Sequence, residues 1–134
     1  MTDIQSVTLQ TRAREVLVNI TAEVCAAITA SGVTDGVAYV YCPHTSAGLV
    51  IQEAADPDVA RDLDAKLRRL VPRDDHYHHA EGNSDAHVKG ALVGCSQVIP
   101  LAGGRPLLGT WQGIFLCEFD GPRTRTVLVK VMAG

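Results

Sequence analysis

The sequence lacks the long apolar run and the basic surplus that mark membrane-spanning and nucleic-acid-binding proteins. None of its apolar segments approaches the roughly 18–20 residues that a helix needs to cross a bilayer. Lysine and arginine number 12 against 15 aspartates and glutamates, which gives a formal net charge of −3. Such a chain has little with which to neutralise a phosphate backbone. We therefore expect neither nucleic acid nor a membrane among its partners.

Cysteine is sparse as well, and its spacing excludes the commonest cysteine-based sites. The four cysteines include no Cys-x-x-Cys pair, the spacing of structural zinc and redox sites. Three lie in apolar segments, where a free cysteine usually packs as a small hydrophobic residue. The first residues, MTDIQ, lack the basic and apolar regions of a secretory signal peptide. These features predict a cytoplasmic protein whose cysteines are reduced and structural.

Two segments have the pattern of principal helices. Thr21 is a candidate cap for the first, and Gly32 supplies the left-handed residue at which it stops. The second begins at Asp56, is followed by a proline at its first position, and ends before Pro72. A short additional helix is predicted over residues 84–92, with Ser84 as its candidate cap.

The remaining apolar segments are short and have the length and composition of strands. They alternate with turn residues and with the two principal helices, which predicts a single α+β domain, residues 1–134, on a mostly antiparallel sheet. The predicted strands cover residues 7–9, 15–20, 37–41, 48–51, 96–101, 107–108, 114–119 and 127–131.

The most unusual local feature is a histidine-rich loop. Four of the five histidines lie between residues 76 and 87, interleaved with carboxylates. Imidazole and carboxylate are ligands of divalent ions, and His79, Glu81 and His87 are spaced so that a loop could bring them to one centre. His76 and His78 are the expected bystanders. The alternative is a solvated polar loop.

The fifth histidine, His44, lies in a polar turn between two apolar strands. Beside it, the hydroxyls of Thr45 and Ser46 and the backbone amides could hold an anionic group. The alternatives are a plain turn, or a Ser46 nucleophile with His44 as its base, for which the sequence fixes no partner acid.

A third polar segment, residues 109–113, contains the only tryptophan between two glycines. Trp111 is expected either in packing or as a substrate platform, and Gln112 either donates to a phosphate or fixes a histidine. Glu118 interrupts an apolar strand and is expected on an exposed face, with pairing inside a site as the alternative. Arg123 and Arg125 are expected to be surface charges.

Three separated motifs resemble the YjbQ family, also called the secondary thiamine-phosphate synthase family, and the resemblance covers nearly the whole chain. The matching motifs are His44-Thr45-Ser46-Ala47-Gly48, His79-x-Glu81-Gly82-Asn83-x-x-Ala86-His87-x-Lys89 and Gly109-Thr110-Trp111-Gln112-Gly113-Ile114.

The resemblance implies packed sheets with flanking helices, a homotrimer, and a divalent metal ion, zinc or magnesium, near a subunit boundary with an anion pocket beside it. His44, His79 and His87 match the family histidines and are the expected metal ligands. His44, Glu81 and Gln112 are candidate catalytic residues. The residues expected to bind the substrate or its anionic groups are Thr45, Ser46, Asn83, Lys89 and Trp111.

The family activity joins a pyrimidine diphosphate to a thiazole phosphate. The resemblance therefore implies a metal-dependent enzyme acting on small phosphorylated metabolites. Two alternatives stay open: a metal-assisted hydrolase with Glu81 as general base, and a non-catalytic trimer that binds metal or ligand.

Overall fold

The structure is a computed structural model that describes residues 3–134. Residues 1–2, which begin the segment expected to lack a signal peptide, lie outside the described residues. The described chain folds into eight strands and three helices. In chain order these are β1 (Ile4–Gln10), β2 (Val16–Asn19), α1 (Thr21–Ser31), β3 (Gly36–Tyr41), β4 (Ala47–Glu53), α2 (Pro57–Leu70), α3 (Ser84–Val93), β5 (Ser96–Ala102), β6 (Arg105–Pro106), β7 (Gln112–Glu118) and β8 (Thr124–Ala133).

The strands form two antiparallel sheets. One has five strands in the order β1-β8-β3-β5-β6, and the other has three in the order β2-β7-β4. Every pairing within them is antiparallel. The α+β prediction is confirmed, and the three helices of the described chain are the two principal helices and the short additional helix that the sequence predicts.

The main core lies between the inner faces of the two sheets and α1. Alternate residues of β3 and β8, such as Val40 and Val129, meet Leu49 and Leu116 of the smaller sheet, and all four are fully buried. Val24 and Ile28 of α1 complete the same cluster. Alternation along each strand thus sends one set of side chains inward.

Helices α2 and α3 cover the outer face of the three-stranded sheet, where a second small core includes Cys117 and Phe119. Helix α3 comes close to β4 because two glycines leave room. A Cβ on Gly48 would lie 2.7 Å from the Gly94 carbonyl oxygen, and one on Gly90 would lie 3.1 Å from that of Ala47. This close contact places α3 directly beside the turn that precedes β4.

Several predicted boundaries differ from the observed ones for local reasons. Thr21 is the first residue of α1 rather than its cap, because the Asn19 side chain accepts hydrogen bonds from its amide and hydroxyl. Asn83, not Ser84, precedes α3. The strand predicted at 107–108 is β6 at 105–106, since pairing resumes directly after the Gly103-Gly104 turn. The left-handed stop at Gly32 and the Asp56 cap of α2 are confirmed.

Within residues 3–134, no helix combines the length and the hydropathy that crossing a membrane requires.

Candidate functional site

The His44 side chain completes the end of a β-ladder. Strand β3 stops at Tyr41, and Pro43, which would come opposite Thr126 of β8, has no amide hydrogen. The imidazole Nε2 of His44 lies 3.0 Å from the Thr126 amide nitrogen and 3.1 Å from its carbonyl oxygen. Nε2 can accept from the amide or donate to the carbonyl, depending on its protonation. When Nε2 donates to the carbonyl, Nδ1 keeps a free lone pair, whereas Nδ1 carries the proton when Nε2 accepts from the amide.

The surroundings of His44 keep its imidazole uncharged near neutral pH. Burial lowers its pKa from the ordinary value of 6.5, and the nearby Arg125 guanidinium lowers it further. The carbonyl of Thr126 and the carboxylate of Glu118 act in the opposite direction with smaller effect. A neutral imidazole is the form that can ligate a metal or accept a proton.

His87, near the start of α3, is oriented by the segment that follows His44. Its Nδ1 lies 2.9 Å from the carbonyl oxygen of Thr45, to which it donates a hydrogen bond. This bond fixes the tautomer and leaves Nε2 with a free lone pair. The ring of His79 meets that of His87 edge-to-face, with 5.7 Å between ring centroids. Two of the three predicted metal ligands are therefore neighbours.

His44, Thr45 and His87 line one pocket, together with Cys95 and the small residues Ala47, Gly90, Ala91 and Gly94. Its volume is about 350 Å³, at the small end of the roughly 300–1,000 Å³ typical of ligand sites. We call it the histidine pocket. Cys42 and Cys117 are buried as predicted, whereas Cys95 is exposed and forms part of this pocket rather than of the core.

The geometry of the predicted metal ligands is incomplete within one chain. Among residues 3–134, no three histidine, cysteine, aspartate or glutamate side chains come together as a group that could hold a metal. Glu81 is exposed, and its Oε2 lies 3.7 Å from His79 Nε2, too far for a hydrogen bond. His76 and His78 are exposed, outside the histidine pocket.

Ser46 faces the interior rather than the pocket. Its Oγ accepts a hydrogen bond of 2.9 Å from Arg125, and its carbonyl accepts from the same guanidinium. Arg125 also pairs with Glu118, and both side chains are buried. The expectations of an exposed Glu118 and a surface Arg125 are wrong, because the two charges neutralise each other inside the fold. Arg123 is exposed, as predicted.

A second buried ionic network anchors α3. Lys89 is 1% exposed, and its ammonium pairs with Glu15 and with Asp85, one helical turn away. Arg14 donates two hydrogen bonds to the same Asp85 carboxylate. Burial raises the pKa of Asp85, but the hydrogen bonds from Arg14 and Lys89 outweigh it and leave that pKa below its usual value. Lys89 does not line the histidine pocket, and its contact with an anion stays a prediction.

Three other predicted site residues, Asn83, Trp111 and Gln112, do not line the histidine pocket. Asn83 donates a hydrogen bond of 2.9 Å to Asp120, which also receives one from Arg123. Gln112 begins β7 and accepts a hydrogen bond from the amide of Gly109, 2.8 Å away. Trp111 precedes it and is 63% exposed.

Gln112 at the start of β7, and Trp111 just before it, are separated from the histidine pocket in this chain. The seven-residue strand ends at Glu118, which is paired with Ala47 of that pocket. A strand of this length spans about 20 Å. The fold of one chain therefore does not bring Gln112 and His87 together.

The sequence did not lead us to predict that Arg14, Glu15 and Asp85 form the ion pairs that anchor α3 beside the site. One signal was present for Asp85, since it precedes Lys89 by four residues on a predicted helix and such pairs face each other. The partnership of Glu118 with Arg125 had no comparable signal, because the contact depends on how a turn brings two strands together.

Comparison with known proteins shows that the chain is similar to the members of one family. The family described as "UPF0047 protein YjbQ-like" matches residues 5–134. A UPF0047 protein of Methanocaldococcus jannaschii is 53% identical over 124 residues, which are 92% of this chain and 90% of that protein. The UPF0047 protein YugU of Bacillus subtilis is 45% identical over 130 residues, or 96% of this chain and 98% of YugU.

Solved structures share the fold closely. An uncharacterised YjbQ/UPF0047 protein from Clostridium acetobutylicum superposes with a TM-score of 0.93 at 48% identity, covering 96% of this chain and 99% of that one. A protein of unknown function from Sulfolobus solfataricus gives a TM-score of 0.94 at 26% identity, covering 100% and 99%. The architecture is thus retained where about three quarters of the residues differ.

Proposed function

The chain belongs to the UPF0047 YjbQ-like family, and from that premise we propose that it is a metal-dependent enzyme of small phosphorylated metabolites whose active site is the histidine pocket. The observation that carries the proposal is the orientation of His87. Its Nδ1 donates to the Thr45 carbonyl, which is the arrangement by which metal-ligating histidines are usually held. The free Nε2 is then available to a metal ion.

The three histidines supply nitrogen donors for a divalent ion, although residues 3–134 of one chain do not bring all three ligands together. His79 and His87 are in ring contact, and His44, the third proposed ligand, lines the pocket with His87 and has Nδ1 available when Nε2 donates to the Thr126 carbonyl. Imidazole donors favour zinc, whereas magnesium prefers oxygen ligands. When bound, such an ion supplies positive charge that stabilises the phosphate groups of a substrate.

The finer proposal is thiamine-phosphate synthase activity. In that reaction the thiazole nitrogen forms a bond to the methylene carbon of the pyrimidine, and the carbon–oxygen bond to diphosphate breaks. Diphosphate leaves with the electron pair. In this proposal the exposed Thr45 hydroxyl donates a hydrogen bond to a phosphate oxygen of a substrate at the histidine pocket. Trp111 and Gln112 would reach such a site from a neighbouring copy in the proposed homotrimer.

The first experiment measures metal content per chain by elemental mass spectrometry on untagged protein. We expect near-stoichiometric zinc in the parent protein and its loss in His79→Ala. His78→Ala is the matched control, since it removes a neighbouring exposed histidine of the same loop and should retain the metal. Absence of metal in the parent protein after incubation with zinc and magnesium salts would refute the metal proposal.

A second experiment separates an enzyme from a binding protein. The metal-loaded protein is incubated with the pyrimidine diphosphate and the thiazole phosphate, and thiamine phosphate is measured by chromatography. We expect product with the parent protein and with His76→Ala, and none with His87→Ala. Metal binding without product would contradict the synthase activity and leave the hydrolase and the non-catalytic trimer. Release of phosphate from simple phosphate esters would favour the hydrolase, and its absence would favour the non-catalytic trimer.

A further inference from the structure

A second pocket lies on the opposite part of the smaller sheet from the histidine pocket. It opens where the start of α2 crosses the outer face of β2 and β7, and its volume is about 350 Å³. Leu17, Phe115 and Ala60 contribute to its apolar walls, and Asp64 of α2 contributes a carboxylate. We call it the Asp64 pocket. It shares no residue with the histidine pocket.

The carboxylate of Asp64 is buried and only half satisfied. Its Oδ2 accepts a hydrogen bond from Arg68. Its Oδ1 is shielded from solvent and has no hydrogen-bond partner among residues 3–134. A buried acceptor without a donor is unfavourable, so a ligand that moves the wall formed by Asp64 enough to donate to Oδ1 would be stabilised.

The charges around the Asp64 pocket favour a cation. Its lining includes the carboxylates of Glu53, Asp56 and Asp64 and the guanidinium of Arg61. Arg68 pairs with Asp64, so Glu53 and Asp56 supply most of the negative charge. Glu53 and Asp56 are held in place by backbone amides: Glu53 accepts from the amide of Asp56 at 3.0 Å, and Asp56 accepts from that of Asp58 at 2.9 Å. These fixed carboxylates surround the pocket with an excess of negative charge.

We propose that the Asp64 pocket binds a small organic cation. An ammonium or amidinium group donates to Asp64, while a flat apolar body packs against Leu17 and Phe115. The volume, near the lower limit for ligand pockets, suits a molecule of about one ring. This site is independent of the proposed activity, so neither stands or falls with the other.

The test uses benzamidine as the cationic probe and benzamide, which is similar in shape and uncharged, as its control. Binding to the intact protein is followed by titration in ¹⁵N–¹H correlation spectra. We expect saturable shifts at amides around Leu17, Asp64 and Phe115 with benzamidine. Benzamide should bind about tenfold more weakly or worse, the loss expected when a charge-assisted hydrogen bond is removed.

Three variants make the assignment specific. Asp64→Asn should weaken benzamidine binding by about tenfold or more, whereas Asp62→Asn, which removes the same charge from the exposed part of α2, should leave it nearly unchanged. Ala60→Leu should fill the pocket and abolish binding while the carboxylate is retained. If Asp64→Asn does not fold, the proposal is tested by Ala60→Leu and by the comparison of benzamidine with benzamide. Equal binding of both probes, binding unaffected by Ala60→Leu, or no saturable shifts would overturn the proposal.

Discussion

Glu118 and Arg125 form a buried ion pair that holds the turn beside His44 through Ser46. Burial raises the pKa of Glu118, but hydrogen bonds from Arg125 and Thr11 outweigh it, so that pKa lies below its usual value. Arg125 also donates to the carbonyl and the hydroxyl of Ser46. The pair therefore links the end of β7 to the segment that carries Thr45 into the histidine pocket.

Removal of one member of this pair should be severely destabilising. We expect Glu118→Gln to lower the free energy of unfolding by about 3–5 kcal/mol, because the Arg125 charge is left buried without its partner. The double variant Glu118→Gln/Arg125→Met should recover part of that loss, since no unpaired charge remains. Urea denaturation of the parent protein and both variants measures this. A single variant less costly than the double one would contradict the account.

His44 should make stability depend on pH in the mildly acidic range. Its pKa in the folded chain lies below 6.5, so acidification protonates the unfolded chain first. Its stabilising contribution is complete above about pH 6.5 and is lost as pH falls through the folded pKa. We expect the free energy of unfolding of the metal-free parent protein to fall more steeply than that of metal-free His44→Gln between pH 7.5 and 5.5, by at most about 1.4 kcal/mol per pH unit. Parallel curves would show that His44 is not responsible.

At the scale of elements, the site depends on the packing of α3 against β4. Gly90 lies three residues after His87, and a Cβ there would come within 3.3 Å of the Thr45 carbonyl oxygen, the acceptor of the His87 hydrogen bond. The helix and the turn must therefore approach closely for the imidazole to be oriented. A substitution at Gly90 can therefore test whether the orientation of His87 depends on this packing, separately from the stability of the whole fold.

We expect Gly90→Ala to disturb His87 while changing stability little. The better helix propensity of alanine, about 1 kcal/mol, offsets the cost of the crowded contact. The free energy of unfolding should shift by no more than about 1 kcal/mol, while the imidazole nitrogen resonances of His87 move. The control is Leu92→Ala, on an exposed part of α3, which should leave those resonances in place. An unchanged His87 spectrum in Gly90→Ala would argue against the dependence.

The strands and helices and their order along the chain were largely predictable from the sequence. For the candidate site, the sequence indicated which segments take part but not how their side chains contact one another. Strand alternation around Val127 and the Asp56-Pro57 start of α2 act locally, so sequence alone indicates them. The contacts of His44 with Thr126 and of Glu118 with Arg125 depend on register between strands distant in sequence. No local pattern encodes that register, which is why Arg125 was expected at the surface.

At the scale of the whole molecule, the two networks of buried charge are each balanced. Arg14, Lys89 and the half-exposed Arg68 pair with the carboxylates of Glu15, Asp64 and Asp85. Glu118 and Arg125 neutralise each other beside the histidine pocket. The neutral networks fix the helices and the turn, while the histidines remain at the surface where a ligand can reach them.

The outer face of the five-stranded sheet is the surface on which we expect self-association. Tyr39, Tyr41 and Val98 are exposed there on the neighbouring strands β3 and β5, and Tyr39 is directly opposite Val98. Exposed apolar side chains grouped in this way are typical of contact surfaces. The proposed homotrimer would bury them, and its formation can be measured by sedimentation velocity.

We expect the parent protein to sediment with the mass of three chains. Tyr39→Glu/Val98→Glu should sediment as one chain, because it places two carboxylates opposite each other within the apolar contact. Leu70→Glu serves as the control, since it adds a charge at an equally exposed apolar position on α2, away from this face, and should leave the assembly intact. Near-ultraviolet circular dichroism verifies that each variant is folded. A parent protein that sediments as one chain would refute the homotrimer, and an intact trimer in the double variant would place its interface on another surface.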